Sequence, residues 1–179
     1  MLLLNSILQN VPIMSLRNGA QLGETTGFVI NPGNLKIEAF ICQINNSKKP
    51  LYLLNQDVRD MSGGQILIND YEVLSEANDL LRLKDLIELN FIVIGKMVVT
   101  KNDQKLGRVK EFSVDNLSLY IQKIYIAQPI YKSLYGGQLI IDRNQIVEVT
   151  NTQIIVKDVL QPTKLKTVIR AAGSITGVV

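Results

Sequence analysis

The sequence predicts a mainly β protein that contains two small β-barrels in tandem, joined by a short α-helix. A thirteen-residue pattern occurs twice, at residues 58–70 and 146–158, with a constant offset of 88 positions (58 to 146). Short runs of β-branched and aliphatic residues alternate with turns rich in Gly, Pro and Asn. An open sheet of short strands would leave exposed edges, so closure of each copy into a barrel is expected.

The repeated pattern has the outline of a β-hairpin. Each copy begins on a β-branched residue, Val58 or Ile146, and ends on an aspartate, Asp70 or Asp158. Between them lie a polar turn that ends in Gln and then three aliphatic residues. A shorter match aligns residues 26–29 with residues 106–109 at an offset of 80 (27 to 107). Loop insertions, which cost little, would explain the growth of the offset from 80 to 88.

The remaining strands are predicted from local patterns taken in chain order. In the first half, two strands meeting at a tight turn are expected within residues 21–31, followed by a Pro-Gly turn at 31–34. The other predicted strands occupy residues 35–42, 51–54, 92–99, 117–126 and 139–141.

These elements divide the chain into five segments. A lead-in at 1–13 precedes the first barrel at 14–74, a helical linker at 75–91, the second barrel at 92–158 and a tail at 159–179. The linker has no Gly or Pro from 75 to 88, and Asn78 or Asp79 is positioned to cap a helix. Its apolar residues recur at helical spacing: Leu80, Leu83, Leu86 and Ile87. The tail carries three basic residues and no acid, and it is expected to be flexible.

The composition supports a folded core and excludes several kinds of site. The 179 residues are 46% hydrophobic and 20% charged, which is unlike a disordered chain. The net charge of +3 divides into −3 for residues 1–80 and +6 for residues 81–179. Cys42 is the only cysteine and the chain has no histidine. An intramolecular disulfide, a zinc site of the Cys/His type and a His-dependent catalytic triad are therefore excluded.

The apolar beginning of the chain does not have the features of a targeting signal. It is short, and it lacks both a basic region and a cleavage signal. No run approaches the roughly 18 apolar residues of a membrane-spanning helix. A cytoplasmic location is expected.

Two stretches of the second half resemble the PRC-barrel family. They are Leu106-Gly107-Arg108-Val109, and the hairpin that begins at Gln145 and ends at Asp158. The resemblance is stronger over residues 92–158 than over residues 14–74, where Thr26 replaces the usual aliphatic residue. It implies two small PRC-like barrels and use as an adaptor, and it carries no catalytic residue to this chain.

Five single residues are candidate sites. Gly27 and Gly107 are expected to be structural turn glycines, with ligand approach as the alternative. Asp70 and Asp158 are expected to cap the turn that follows the last strand of each copy, in preference to acid–base chemistry. Cys42 lies in an apolar run and is expected to be buried and inert.

A basic strip in the second half is the most suggestive feature for binding. Its members are Lys96, Lys101, Lys105, Arg108 and Lys110. A basic face of this kind would contact RNA phosphates or an acidic partner, although an ordinary solvated face is the favoured interpretation. Tyrosines that could stack on bases lie nearby in the sequence: Tyr120, Tyr125, Tyr131 and Tyr135.

The favoured function is a non-enzymatic adaptor that binds another macromolecule, with protein as the first choice of partner. A ribosome- or RNA-associated role through the basic second barrel is the second hypothesis. A membrane-proximal or cell-division adaptor that uses the tail is the third. No cofactor or metal motif is found, so an enzyme is the least expected class. Oligomers could form through exposed strand edges.

Overall fold

A computed structural model describes residues 1–45, 47–127 and 139–158 of the chain. Within these residues the protein is mainly β, as predicted, with two seven-stranded mixed sheets and one α-helix. The predicted flexible tail, together with Tyr131 and Tyr135, lies outside the described residues. No helix in the described part of the chain is long and apolar enough to cross a membrane.

Seven strands form the sheet of the first half, which we call unit one. They are β2 (Pro12–Ser15), β3 (Gln21–Asn31), β4 (Lys36–Ile44), β5 (Leu51–Leu54), β6 (Val58–Asp60), β7 (Ile66–Ile68) and β8 (Leu74–Ser75). The sheet order is β6-β7-β2-β3-β4-β5-β8. Strands β2 and β7 are parallel, and the other neighbouring pairs are antiparallel.

The second half, unit two, repeats this order. Its strands are β9 (Met97–Thr100), β10 (Lys105–Asp115), β11 (Ile121–Ala127), β12 (Leu139–Asp142), β13 (Ile146–Val149) and β14 (Gln153–Val156). The order β13-β14-β9-β10-β11-β12 matches β6-β7-β2-β3-β4-β5, and β9 and β14 are the parallel pair. The N-terminal strand β1 (Leu2–Leu4) joins this sheet by pairing with β10. The repeated sequence pattern therefore corresponds to a repeated strand order.

Neither sheet closes into a barrel in the described residues. The strands at the two ends of each six-strand order follow one another in the chain, and a short 3-10 turn joins them. This turn is Asn55–Asp57 in unit one and Arg143–Gln145 in unit two. This connection brings the two ends of each sheet close together, so the sheet curls. No hydrogen-bonded pair joins β5 to β6 or β12 to β13 where the chain is described. The described residues of each unit thus form an open, curled sheet.

The two units meet at a pseudo-two-fold axis. The Ile37 amide donates to the Leu119 carbonyl, and the Ile121 amide donates to the Leu35 carbonyl, both at 2.9 Å. Leu35 and Leu119 both have positive φ, 53° and 58°. Leu35 and Leu119 therefore occupy equivalent positions in the two units, at an offset of 84 (35 to 119). The isolated bridge between residues 36 and 120, which are related by the same offset, lies on the axis.

One continuous core fills both units. Phe28 and Phe112, which correspond at the same offset of 84, pack edge to face with ring centroids 5.8 Å apart. The largest fully buried side chains come from both halves: Phe40, Phe112, Leu8, Ile13, Ile30, Ile37, Leu53, Ile66, Ile68, Ile121, Ile124 and Ile126. Because the apolar cluster is shared, the units are expected to unfold together.

The helix is shorter than predicted. It spans Lys84–Leu89, so capping by Asn78 or Asp79 is wrong. A 3-10 turn at Ala77–Asp79 comes first, and Leu80 then leaves helical geometry with φ −94° and ψ 60°. The predicted apolar residues all pack on the outer face of unit one, against Val29, Ala39 and Tyr52. Their spacing therefore reflects burial of one side of a segment that is helical only at its end.

Candidate binding face and cleft

Three of the five predicted basic residues lie together on the outward side of β10. Lys105, Arg108 and Lys110 are exposed, and Val109 between the last two is buried in the core. A β-bulge between Lys105 and Gly107 shifts the alternation by one residue, which keeps Lys105 on the same side as Arg108. We call Lys105, Arg108 and Lys110 the basic face.

The other two predicted basic residues have different roles. The Lys96 ammonium donates to the Asn151 carbonyl and lies 4.3 Å from the centre of the Phe91 ring. Burial lowers the pKa of Lys96. Through these contacts the side chain packs against its own unit, and it is not part of the exposed face. Lys101 is exposed at the β9–β10 turn.

Exposed apolar side chains lie beside the basic face. The Arg108 guanidinium donates to the Gly95 carbonyl at 2.9 Å, which fixes this residue next to the segment before β9. In that segment Ile92 is 57% exposed and Ile94 is 37% exposed. A surface that combines cations with exposed isoleucines is able to bind a partner through charge and apolar contact together.

Unit one provides an internal comparison for the basic face. At the offset of 84, the positions of Lys105, Arg108 and Lys110 correspond to Gln21, Glu24 and Thr26, which are also exposed. The same strand, in the same sheet position, is thus neutral or acidic in unit one. Basic residues at these positions are therefore not required by the fold.

A cleft of about 820 Å³ lies where unit two meets the turn of unit one that precedes β4. One side is the β12–β13 connection and the whole of β13, and the other side includes Asn34. The Arg143 guanidinium crosses between the units and donates to the Asn34 carbonyl at 2.6 Å and to the Ile121 carbonyl at 3.3 Å. It also stacks on the Tyr120 ring, 4.5 Å from the ring centre.

Charges in the cleft are largely paired. Lys123 and Asp142 form an ion pair at 3.4 Å. Hydrogen bonds from the Ser118 backbone and hydroxyl, joined by that from the Leu117 amide, lower the pKa of Asp115. Glu148 on β13 is exposed, and its carboxylate has no hydrogen-bond or ion-pair partner among the described residues. It is the acid in the cleft that is available to a ligand.

The predicted glycine turns are corrected by the structure. Gly27 lies inside the continuous strand β3, where a Cβ would be 3.5 Å from the Ile41 side chain, an ordinary contact. Gly107 lies inside β10 with φ 144°, and a Cβ there would overlap the Ala127 carbonyl oxygen. Its counterpart is Gly23, where a Cβ would overlap the Gln43 carbonyl oxygen. The backbone of the neighbouring strand lies very close to Gly23 and to Gly107. Gly107 therefore corresponds to Gly23, and its match with Gly27 was wrong.

The two repeated aspartates occupy equivalent places. Asp70 accepts from the Tyr71 amide at the start of a 3-10 turn and pairs with Arg17 at 2.7 Å. The hydrogen bond from Arg17, supported by that from the Tyr71 amide, lowers the pKa of Asp70. Asp158 accepts from the Asn102 amide group at 3.0 Å. Both aspartates therefore tie the last strand to the turn after the first strand of their unit.

Cys42 is buried, and burial raises the pKa of its thiol to about 12. A protonated thiol in this position is a poor nucleophile. In the described ranges, no three Cys, Asp or Glu side chains come together as a metal site.

The sequence did not single out Arg143, Tyr120 or Asn34. Their role depends on contact between the two units. Arg143 and Asn34, for example, are 109 positions apart in the chain. A local pattern carries no signal for such a contact. The sequence does show one difference at this place. Arg143 stands where the equivalent connection of unit one has Asn55.

Comparison with known proteins adds no identity. No protein-family model matches the chain, and no curated protein is significantly similar to it.

Proposed function

We propose that this protein is a non-enzymatic adaptor and that the basic face of unit two binds an acidic surface of another protein. The observation that carries the proposal is the difference between equivalent positions of the two units. Lys105, Arg108 and Lys110 stand where unit one has Gln21, Glu24 and Thr26. The exposed isoleucines beside Arg108 favour a protein partner, because a protein surface supplies apolar contacts as well as charge.

The proposal includes the fold family. Each unit is proposed to be a PRC-like barrel that is used as a docking module. The six-strand order common to the units and the short connection between the ends of each sheet support this assignment.

An RNA- or ribosome-associated role is the second candidate. The net charge of +6 over residues 81–179 favours it. Support for base stacking is weaker, because the Tyr120 ring already contacts Lys36 and Arg143 at the junction of the units. Tyr125 is half-buried on the outer face of β11.

The test compares charge reversal at equivalent positions. The tagged full chain, an Arg108→Glu/Lys110→Glu variant and a Glu24→Lys/Thr26→Lys control are used to capture proteins from cells that make the chain naturally. A stoichiometric protein should be retained by the wild type and the control, and lost by the unit-two variant. The purified partner should then bind with an affinity that falls as salt rises.

Other results would contradict the proposal. Equal capture by both variants would remove the basic face from the binding surface. Loss of the captured material after ribonuclease treatment, with direct binding of labelled RNA by the wild type, would replace the protein partner with RNA. Thermal unfolding of both variants checks that the exposed substitutions leave the fold intact.

A further inference from the structure

We infer that the cleft of unit two binds an extended, positively charged peptide segment of a partner protein, which adds as a strand to the free edge of β13. This site is separate from the basic face, since none of the three residues of that face lines the cleft. The inference therefore does not depend on the proposed function of the basic face.

The backbone of β13 is the first reason. All four of its residues, Ile146 to Val149, line the cleft. Strand β13 pairs with β14 on one side and has no strand on its other side in the described residues. An edge strand carries unpaired N–H and C=O groups, which are a template for a further strand. The cleft therefore gives a peptide access to a row of backbone donors and acceptors.

The open sheet is the second reason. The cleft is lined by β13 and by Asp142 at the end of β12, and these two end strands of the six-strand order are not paired with each other in the described residues. Its volume of about 820 Å³ is in the range of ligand-binding cavities. The turn of unit one at Asn34, which is held to unit two by the Arg143 guanidinium, forms the opposite wall. An extended segment is the shape that fits between an edge strand and such a wall.

Charge gives the third reason and the chemistry of the partner. The exposed Glu148 carboxylate on β13 has no partner in the described part of the chain, whereas that of Asp60, its counterpart on β6, accepts a hydrogen bond from Ser62. The cleft's own cations are occupied, Lys123 by Asp142 and Arg143 by two carbonyl groups. A Lys or Arg of the peptide opposite Glu148 complements the remaining charge. Exposed Val147 beside it provides an apolar contact.

The experiment uses the full chain, isotope-labelled for NMR, and a short blocked peptide of alternating lysine and valine. Two further versions of this peptide carry N-methyl groups, one on each alternate set of backbone nitrogens. The unmethylated peptide should shift the amide signals of residues 146–149. One methylation pattern should abolish binding and the other should be tolerated, because only one set of N–H groups faces β13.

A charge swap tests the partner chemistry. Glu148→Lys should weaken the lysine peptide by about 5-fold, and it should favour a peptide with glutamate in place of lysine. Asp60→Lys on β6 is the matched control and should leave affinity unchanged. Because both positions lie on edge strands near the surface, circular dichroism melting should show that each variant folds.

Any of the following outcomes would overturn the inference. They are absence of binding by every peptide, equal effects of the two methylation patterns, shifts centred away from β13, and protection of the β13 amides in a dimer of the chain. If removal of residues 159–179 is needed before the peptide binds, the cleft belongs to the chain's own C-terminal segment, which also contradicts a partner-protein site.

Discussion

The outer faces of the two units differ although their backbones correspond. In unit one, Ala39 and Leu54 face each other across β4 and β5 and pack under residues 77–87. The equivalent pair in unit two is Lys123 and Asp142, which form an ion pair at the surface. The same strand pair thus carries an apolar contact in one unit and a salt bridge in the other.

This difference shows how a repeated fold has divided its surfaces. Unit one buries its outer face under residues 77–87. Unit two keeps charged side chains on its outer side, at the ion pair and at the basic face on β10. A covered apolar face contributes to stability, whereas a solvated charged face is available for contact with a partner. The predictions below alter one unit and use the other as the reference.

The largest effect is expected at the aromatic pair on the axis between the units. Phe112 is 1% exposed, so Phe112→Ala should reduce the free energy of unfolding by about 3–5 kcal/mol. Phe28→Ala, at the half-buried counterpart, should cost less, because both variants lose the same ring contact of about 0.5–1.5 kcal/mol but Phe28 loses less buried surface. Urea denaturation of both variants measures the difference. Equal losses would contradict the asymmetric burial of the pair.

Substitutions of the glycines test which glycine of unit one corresponds to Gly107. The structure pairs it with Gly23 at an offset of 84, and the sequence match paired it with Gly27 at an offset of 80. Gly107→Ala places a Cβ against the Ala127 carbonyl at a positive φ, and it should cost roughly 2–4 kcal/mol. Gly23→Ala should also destabilise strongly, because its Cβ would overlap Gln43. Gly27→Ala should change stability by less than about 1 kcal/mol. Thermal unfolding ranks the three, and a large loss at Gly27 would restore the offset of 80.

Transfer of the apolar pair into unit two tests whether its ion pair is needed for folding. Lys123→Ala/Asp142→Leu should change the free energy of unfolding by less than about 1 kcal/mol, because both side chains are partly exposed. Solubility should fall, since the new apolar surface has no described segment over it. Light scattering checks this. Strong destabilisation would mean that the ion pair carries structural energy.

The smallest effect is expected from the pH dependence of the repeated aspartates. The folded-state pKa of Asp70 lies below its unfolded value of about 3.9, so Asp70 stabilises the fold above that pH. This contribution is lost as the pH falls through the folded-state pKa. Asp70→Asn should therefore flatten the acid limb of the stability curve.

The Asp158→Asn variant is the matched reference for this measurement, because Asp158 faces an amide and not a guanidinium. The acid limbs of the two variants should differ, because the Arg17 guanidinium pairs with Asp70. A series of denaturation curves at falling pH separates the two variants. Identical curves would remove the Arg17 ion pair as the cause.

The sequence carried enough information for the strand-rich fold and the repeat, and less for the alignment within it. The hairpins at 58–70 and 146–158 were visible because one ungapped offset relates every position. Gly27 was misaligned with Gly107 because a four-residue match cannot show which strand passes each glycine. The equivalence of Gly23 depends on the carbonyl of Gln43, which only tertiary structure brings close.

The binding features were also predictable only in part, because the sequence shows local patterns but not contacts between distant residues. The hairpin predicted around residues 102–103 indicated that several basic residues share one face, and the bulge near Gly107 places Lys105 on the same side as Arg108. The sequence could not show that Lys96 is held over the Phe91 ring. The cleft was not predicted, because its walls come from distant parts of the chain.

An exchange of the two strand faces tests the central claim most directly. One variant carries the residues of unit one on β10, namely Lys105→Gln, Arg108→Glu and Lys110→Thr. The reciprocal variant carries those of unit two on β3, namely Gln21→Lys, Glu24→Arg and Thr26→Lys. Affinity for the captured partner protein should be lost in the first variant and kept in the second. Retention of wild-type affinity by the first variant would contradict an adaptor that binds through the basic face of unit two.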